Sequence, residues 1–222
     1  MDQGYNIGIL ENDFGAVNVD MMLLRELEGE QCELEMVAGG CDKDCHRRRF
    51  KTKLIAMGMC GYDRVLIEPS GIFDMDEFFD ALHEEPLDRW YQIGNVIAVV
   101  DAGLDEKMSE EADYILASEV ADAGCIVLSK TQEASEKYIE NTVKHLNRAL
   151  EAVHCKRKFG EDEIIRKDWE QFETEDFERI LNSGYIAEDY EKMSLDEKEV
   201  FKSLYFMDLE ISGEELRDAA QK

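Results

Sequence analysis

The sequence predicts an α/β fold: a mostly parallel sheet with helices on both faces, followed by a helical C-terminal appendage. Three observations carry this. Short β-like runs alternate with segments of helical spacing from Tyr5 to Val153. The runs at 63–68, 95–101 and 125–130 have continuous apolar centres ("VLI", "VIAVV" and "CIVL"), which suits strands covered on both faces by crossover helices. Beyond residue 159 the chain turns strongly acidic and reads as short helices, with no obvious strand.

The elements follow in order. "YNIGIL" (Tyr5–Leu10) is a first strand, and "ENDFG" (Glu11–Gly15) is the polar loop after it. Val17–Leu27 has helical spacing, and Cys32–Val37 alternates like a half-exposed strand. Asp42–Met59 reads as a helix, Asp63–Glu68 as a compact buried strand closed by a Pro-Ser-Gly turn, and Asp74–Glu84 as an amphipathic helix. "NVIAVVD" (Asn95–Asp101) is the clearest buried strand, with "CIVLSK" (Cys125–Lys130) next to it in kind. A long helix covers about Glu133 to Val153. The expected division is a nucleotide-binding domain over 1–158 and an appendage over 159–222. In residues 160–222, 20 acidic residues stand against 8 basic ones. Thr174, with Asp176 two residues on, resembles a helix start, and Trp169, Phe172, Phe177, Tyr205 and Phe206 are expected to pack on the main domain.

In open parallel sheets, ligands bind beyond the carboxyl ends of the strands. That rule selects four loops: Glu11–Gly15, Gly39–His46, Glu68–Gly71 and Ser129–Gln132. The charge narrows the partners. With 52 acidic against 25 basic residues, net −27, the field repels nucleic acid and anionic membrane. Divalent cations and basic protein surfaces are the natural counterparts, although acidic charge also serves solubility alone. No apolar run approaches the roughly 20 residues of a membrane span, and no signal peptide opens the chain, so a cytoplasmic protein with reduced thiols is expected. Its six cysteines (32, 41, 45, 60, 125 and 155) then read as core residues or metal ligands, with 32, 60 and 125 assigned to the core.

Five segments, in order across residues 4–132, resemble the CobW family of GTP-dependent metallochaperones, in the CobW/HypB/UreG class of P-loop GTPases. "GYNIGILENDFGAVNVD" is similar to the family's "ENEFGEVGID". "GGCDKDC" stands where the family has Gly-Cys-x-Cys-Cys, and "YDRVLIEPSG" resembles its Walker B strand, "FDRLVIETTG". "VIAVVDA" matches the next strand, and "IVLSKT" resembles the guanine-reading Asn-Lys-x-Asp strand.

The resemblance implies a site. Glu68 would hold magnesium, Ser70 and Gly71 would approach a terminal phosphate, and Ser129 and Lys130 would frame the purine of GTP. Cys41 and Cys45, one helical turn apart, would bind zinc or cobalt with His46, Glu11 or Asp13 as further donors. A metal-receiving client protein is the implied partner. A structural or redox-sensitive turn remains the other reading of the two thiols.

The departures are specific. The family's first strand and its Gly-x-x-Gly-x-Gly-Lys-Thr loop have no counterpart in residues 1–222, nor has its C-terminal β-rich module. An incomplete chain is therefore expected, inactive as a GTPase by itself, with a gap where that central strand belongs. Gln132 replaces the family's guanine-binding Asp, Ser129 its Asn, and the cysteine motif has one thiol fewer. A degenerate homologue that binds metal or a partner without hydrolysing GTP is the alternative.

Overall fold

The fold is given by a computed structural model, which describes residues 4–13, 20–38, 43–69, 75–193 and the single positions 212, 213, 215 and 217. Strand β1 (Ile7–Asp13) is central to a parallel three-stranded sheet, ordered β2-β1-β3, with β2 at Cys32–Ala38 and β3 at Arg64–Pro69. A second parallel sheet, ordered β4-β5-β6, is formed by β4 (Ile97–Asp101), β5 (Cys125–Ser129) and the two-residue β6 (Ile164–Ile165). The parallel α/β class is as expected, but it is realised as two separate sheets. Their facing edges, β3 and β4, pair with no described strand, so the gap lies between them.

Strand alternation sorts the first sheet into two faces. Leu10 and Val37 point to α2 (Lys43–Cys60) and α3 (Met75–His83), where they meet Phe50, Leu54, Met57 and Phe78. Phe50 and Phe78 lie 5.4 Å apart between ring centroids, and Phe78 and Phe79 meet edge to face at 5.2 Å. Each buried Leu or Phe contributes about 1.5–3 kcal/mol of transfer free energy. On the other face, Ile9, Cys32 and Leu34 meet Met21 and Leu24 from the short helix α1 (Asp20–Leu24). Gly8 lies under α2, where a Cβ would fall 2.6 Å from the Met57 Cε.

The chain leaves β3 through α3 and α4 (Leu87–Trp90), and Tyr91 Oη donates to the Leu54 carbonyl at 2.7 Å. The second sheet packs on α5 (Glu110–Ala121) and α6 (Glu136–Ala152), through Ala98, Val100, Ile126, Leu128, Leu146 and Leu150. The sequence reading had no helix at 110–121; a run of acids ahead of "YILASEVA" conceals a Ser109 cap, whose Oγ accepts from Ala112 N at 3.2 Å.

The described part of the acidic tail is joined to this core. Phe159, Ile164 and Tyr190 are buried in it, and β6 pairs with β5, so the expectation of no strand there is corrected. Two residues are too few to show a period in sequence. Helix α7 (Thr174–Leu181) starts as expected, with Glu173 N donating to the Asp176 carboxylate at 2.8 Å. Trp169 and Phe177 do not pack inward as expected: both are exposed, and Phe177 packs on Phe172. Tyr205 and Phe206 lie outside the described residues. Cys32 and Cys125 are buried as read, whereas Cys60 is exposed at the end of α2.

Two expectations of buried strands also change. Leu66 of β3 is 53% exposed, and Val99 of β4 is 69% exposed. Both belong to strands that, among the described residues, have a neighbour on one side only.

The tightest backbone approach is at Gly124, where a Cβ would lie 2.3 Å from the Gly184 carbonyl oxygen and 2.4 Å from that of Ser183. Both obstacles are backbone and cannot swing away. Gly124→Ala is expected to destabilise the chain by about 1–3 kcal/mol in urea unfolding, whereas Gly103→Ala, next to only the Asp101 carboxylate at 3.4 Å, stays within about 1 kcal/mol.

Candidate nucleotide and metal site

The carboxyl ends of the strands carry most of the polar residues singled out by sequence. β1 runs through Asp13, so Glu11 and Asp13 belong to the strand end and not to a loop as read. Glu11 pairs in register with Glu68 of β3, and both point to the α1 face of the sheet. Glu11 is buried, while Glu68 is exposed at the strand end. A cation bridging two such carboxylates would offset their mutual repulsion. Cys41, Ser70 and Gly71 lie outside the described residues, and of Asp13 only the backbone is described.

The opposite face holds a different pair. His46, in the first turn of α2, is fully buried, and its Nε2 lies 2.6 Å from Asn12 Oδ1. Asn12 Nδ2 is buried without a hydrogen-bond partner. His46 thus ties the helix carrying Cys45 to the end of β1, on the other face from Glu11. Cys45 is half-buried and lines a groove of about 650 Å³ with Arg48, Arg49 and Lys53. Arg47 and Lys51 turn away to clamp Glu84 at 2.7 and 2.5 Å. Lys51, with Arg47, holds the Glu84 carboxyl below the usual carboxylate range. Among the described residues, no cluster of three or more His, Cys, Asp or Glu side chains is assembled as a metal cage.

The second sheet carries the remaining residues. Asp101 ends β4 opposite Ser129, which ends β5. Lys130 has φ 56° and reaches back to Asp101, Nζ to Oδ2 at 2.6 Å, while Gly103 N donates to Oδ1 at 2.8 Å. These bonds, Lys130 first, hold the Asp101 carboxyl below its ordinary value, and Asp101 in turn raises Lys130. Ser129 Oγ donates to the Val100 carbonyl at 3.4 Å. Thr131 Oγ1 is buried and unpaired, and Gln132 is exposed in the following turn. His145 braces the loop after β4, with Nδ1 2.8 Å from the Asp105 carbonyl and Nε2 2.6 Å from the Asp113 carboxylate.

Sequence reasoning missed Asp101 as the partner of Lys130; the Asp that stops an apolar strand was the signal. It also missed the Asn12–His46 bond, which depends on strand β1 continuing past Leu10. Glu119 was missed entirely, because its helix was. Its carboxyl faces the groove between β3 and β4, and burial pushes its pKa up to about 7.

Three comparisons bear on this arrangement. The sequence model of the CobW/HypB/UreG nucleotide-binding domain matches residues 1–160. The zinc chaperone YjiA of Escherichia coli (strain K12) is 30% identical over 141 residues, 60% of this chain and 43% of that relative. The chain therefore spans less than half the length of the relative. No solved structure matches the chain.

Two outcomes follow from the electrostatics. In a carboxyl titration by NMR, Asp101 should titrate below the ordinary Asp value and return towards it in Lys130→Ala. A folded pKa above the unfolded one means that Glu119 folds best protonated. Its contribution to stability is full below about 4.5 and is lost as pH rises towards about 7. Glu119→Gln should remove that part of the decline in unfolding free energy between pH 5 and 8.

Proposed function

The chain belongs to the CobW/HypB/UreG nucleotide-binding domain family, and on that premise we propose that it serves a GTP-binding metallochaperone, coupling nucleotide state to delivery of zinc or cobalt to a client protein. The observation that carries this reading is the register pairing of Glu11 with Glu68 at the strand ends. It joins the residue assigned to magnesium to the strand whose next residue, Asn12, holds His46 at the start of the helix carrying Cys45.

In this reading, Glu68, Ser70, Gly71, Ser129 and Lys130 hold magnesium and GTP, and Cys41 and Cys45 bind the transferred metal with Glu11 and Asp13 near by. The residues fit the magnesium side best, because Glu68 offers an exposed carboxylate at a strand end. They fit the base less closely. Lys130 is engaged by Asp101, so framing a purine requires its methylene stem while the ammonium stays paired. Gln132 supplies a neutral acceptor where the family has a charged one. No Gly-x-x-x-x-Gly-Lys-Ser/Thr run occurs in residues 1–222, so the phosphate contacts available here are the backbone of Ser70–Gly71 and the Glu68 metal position. Magnesium would neutralise charge on the bound phosphates.

Coupling is assigned to β1. A change at Glu68 reaches Glu11 across one ladder step, and Asn12, the next residue, holds His46 and with it the helix carrying Cys45. His46 is therefore assigned to holding α2, and the thiols to the metal. The thiols are the softer donors.

Zinc titration against a chromophoric chelator tests this reading. Cys41→Ser with Cys45→Ser should weaken zinc binding by at least roughly tenfold, the scale set by losing metal ligands. Equal affinity in the double variant would refute the metal assignment. With residues 1–222 alone, GTP hydrolysis above background is not expected.

A further inference from the structure

The loop that leaves β4 is tied to α6 by four side chains of that helix. Thr142 Oγ1 donates to the Ala102 carbonyl at 2.9 Å, and His145 Nδ1 lies 2.8 Å from the Asp105 carbonyl. Arg148 Nη2 donates to the Glu106 carbonyl at 3.2 Å, and Asn141 Nδ2 to the Glu106 carboxylate at 3.0 Å. The segment after α6 is held in the same way. Phe159 N donates to Asn147 Oδ1 at 2.8 Å, and Asn147 Nδ2 donates to the Phe159 carbonyl at 3.4 Å. Neither stretch is helix or strand at these points, yet each is fixed to one helix, so the groove between them is preformed.

That groove measures about 680 Å³, within the range of small-molecule sites. Its lining departs from the rest of the chain, where acids outnumber bases by 52 to 25. Lys107, Lys144, Arg148 and Lys158 line it, against the two carboxylates of Glu106 and Glu151. Lys144 is paired with Glu140 at 3.6 Å. Lys107 and Lys158 make no hydrogen bond or ion pair with any described residue, and Arg148 meets no described carboxylate. By contrast, Arg47, Lys51, Lys53 and Lys130 each engage a carboxylate. Three uncompensated cations converging on one fixed groove make it a place for an anion.

We propose that this groove binds a compact phosphorylated hydroxy compound, of the sugar-phosphate class, with its phosphate among Lys107, Arg148 and Lys158 and its hydroxyls on Glu106 and Glu151. Lysine point charges and the arginine fork suit phosphate oxygens. The two carboxylates repel a bare polyanion but accept from hydroxyl groups, so the mixed lining selects a ligand that carries both. Size matters as well. Charges beyond roughly 8 Å are screened at physiological ionic strength, so a compact anion meets the groove's own cations more than the net charge. A long polyanion such as a nucleic acid would reach past the groove onto the acidic surface. The inference stands apart from the nucleotide and metal reading, since no residue assigned to either lines the groove.

Calorimetric titration of the whole chain with glucose 6-phosphate, in chelator and without magnesium, tests this. Saturable binding is expected. Lys107→Ala combined with Lys158→Ala should weaken it at least roughly tenfold, the scale of a lost charge-assisted hydrogen bond. The circular dichroism spectrum should stay unchanged, because both residues are exposed and bonded to nothing described. Inorganic phosphate should bind at least roughly tenfold more weakly than glucose 6-phosphate, because it brings no hydroxyls to the carboxylates. No saturable binding, or equal affinity in the double variant, would overturn the proposal, and equal affinity for inorganic phosphate would do the same. Loss of binding in Lys130→Ala with the double variant unaffected would move the ligand to the strand ends and overturn it too. A glutamate-rich peptide that outcompetes glucose 6-phosphate, and loses its binding in the double variant, would assign the groove to a protein partner instead.

Discussion

Backbone pairing across parallel strands governs this molecule. β1 is bonded along its length to β2 and to β3, and its two faces are covered by α2 and α1. β1 pairs with β2 over Ile7–Asp13 and with β3 over Ile7–Asn12, and that two-sided pairing fixes the face to which each side chain at the strand end points. Glu11 goes to one face and Asn12 to the other because the pleat requires it. Among the described residues, β3 and β4 are paired on one side only, and Leu66 and Val99 on them are exposed.

The candidate site inherits this division. One half, at the ends of β1 and β3, is rich in carboxylates and leads to the thiol-bearing helix. The other, at the ends of β4 and β5, is organised by the Asp101–Lys130 pair and the positive φ of Lys130. Electrostatics suits each half to its proposed partner: paired acids to a hard cation, and a lysine stem over a strand end to a flat base. No helix among the described residues is long and apolar enough to cross a bilayer.

Much of the fold was legible in the sequence because hydrophobic periodicity survives local noise. The expected strands at 5–10, 32–37, 63–68, 95–101 and 125–130 correspond to β1 to β5 within a few residues. What failed did so for identifiable reasons. β6 is two residues long and exists only through pairing with β5. Helix α5 begins in a stretch of acids that carries no apolar period. The burial of β3 and β4 was overestimated because composition records the environment a strand is suited to, and the structure shows which neighbours it has. At the site, residue types pointed to the strand ends, but the hydrogen-bond partners did not follow from them. That Lys130 meets Asp101, and His46 meets Asn12, depends on register and on a helix start, which spacing alone leaves free.

Among the described residues, two parallel sheets face each other across edges, β3 and β4, that pair with no strand. Amide hydrogen exchange of the whole chain, resolved residue by residue, tests it most directly. The predicted result is strong protection throughout Ile9–Glu11 of β1, with alternate amides of Val65–Glu68 and of Ala98–Val100 exchanging much faster than their neighbours. Uniformly slow exchange along β3 and β4, matching β1, would contradict it by showing that both edges are already bonded.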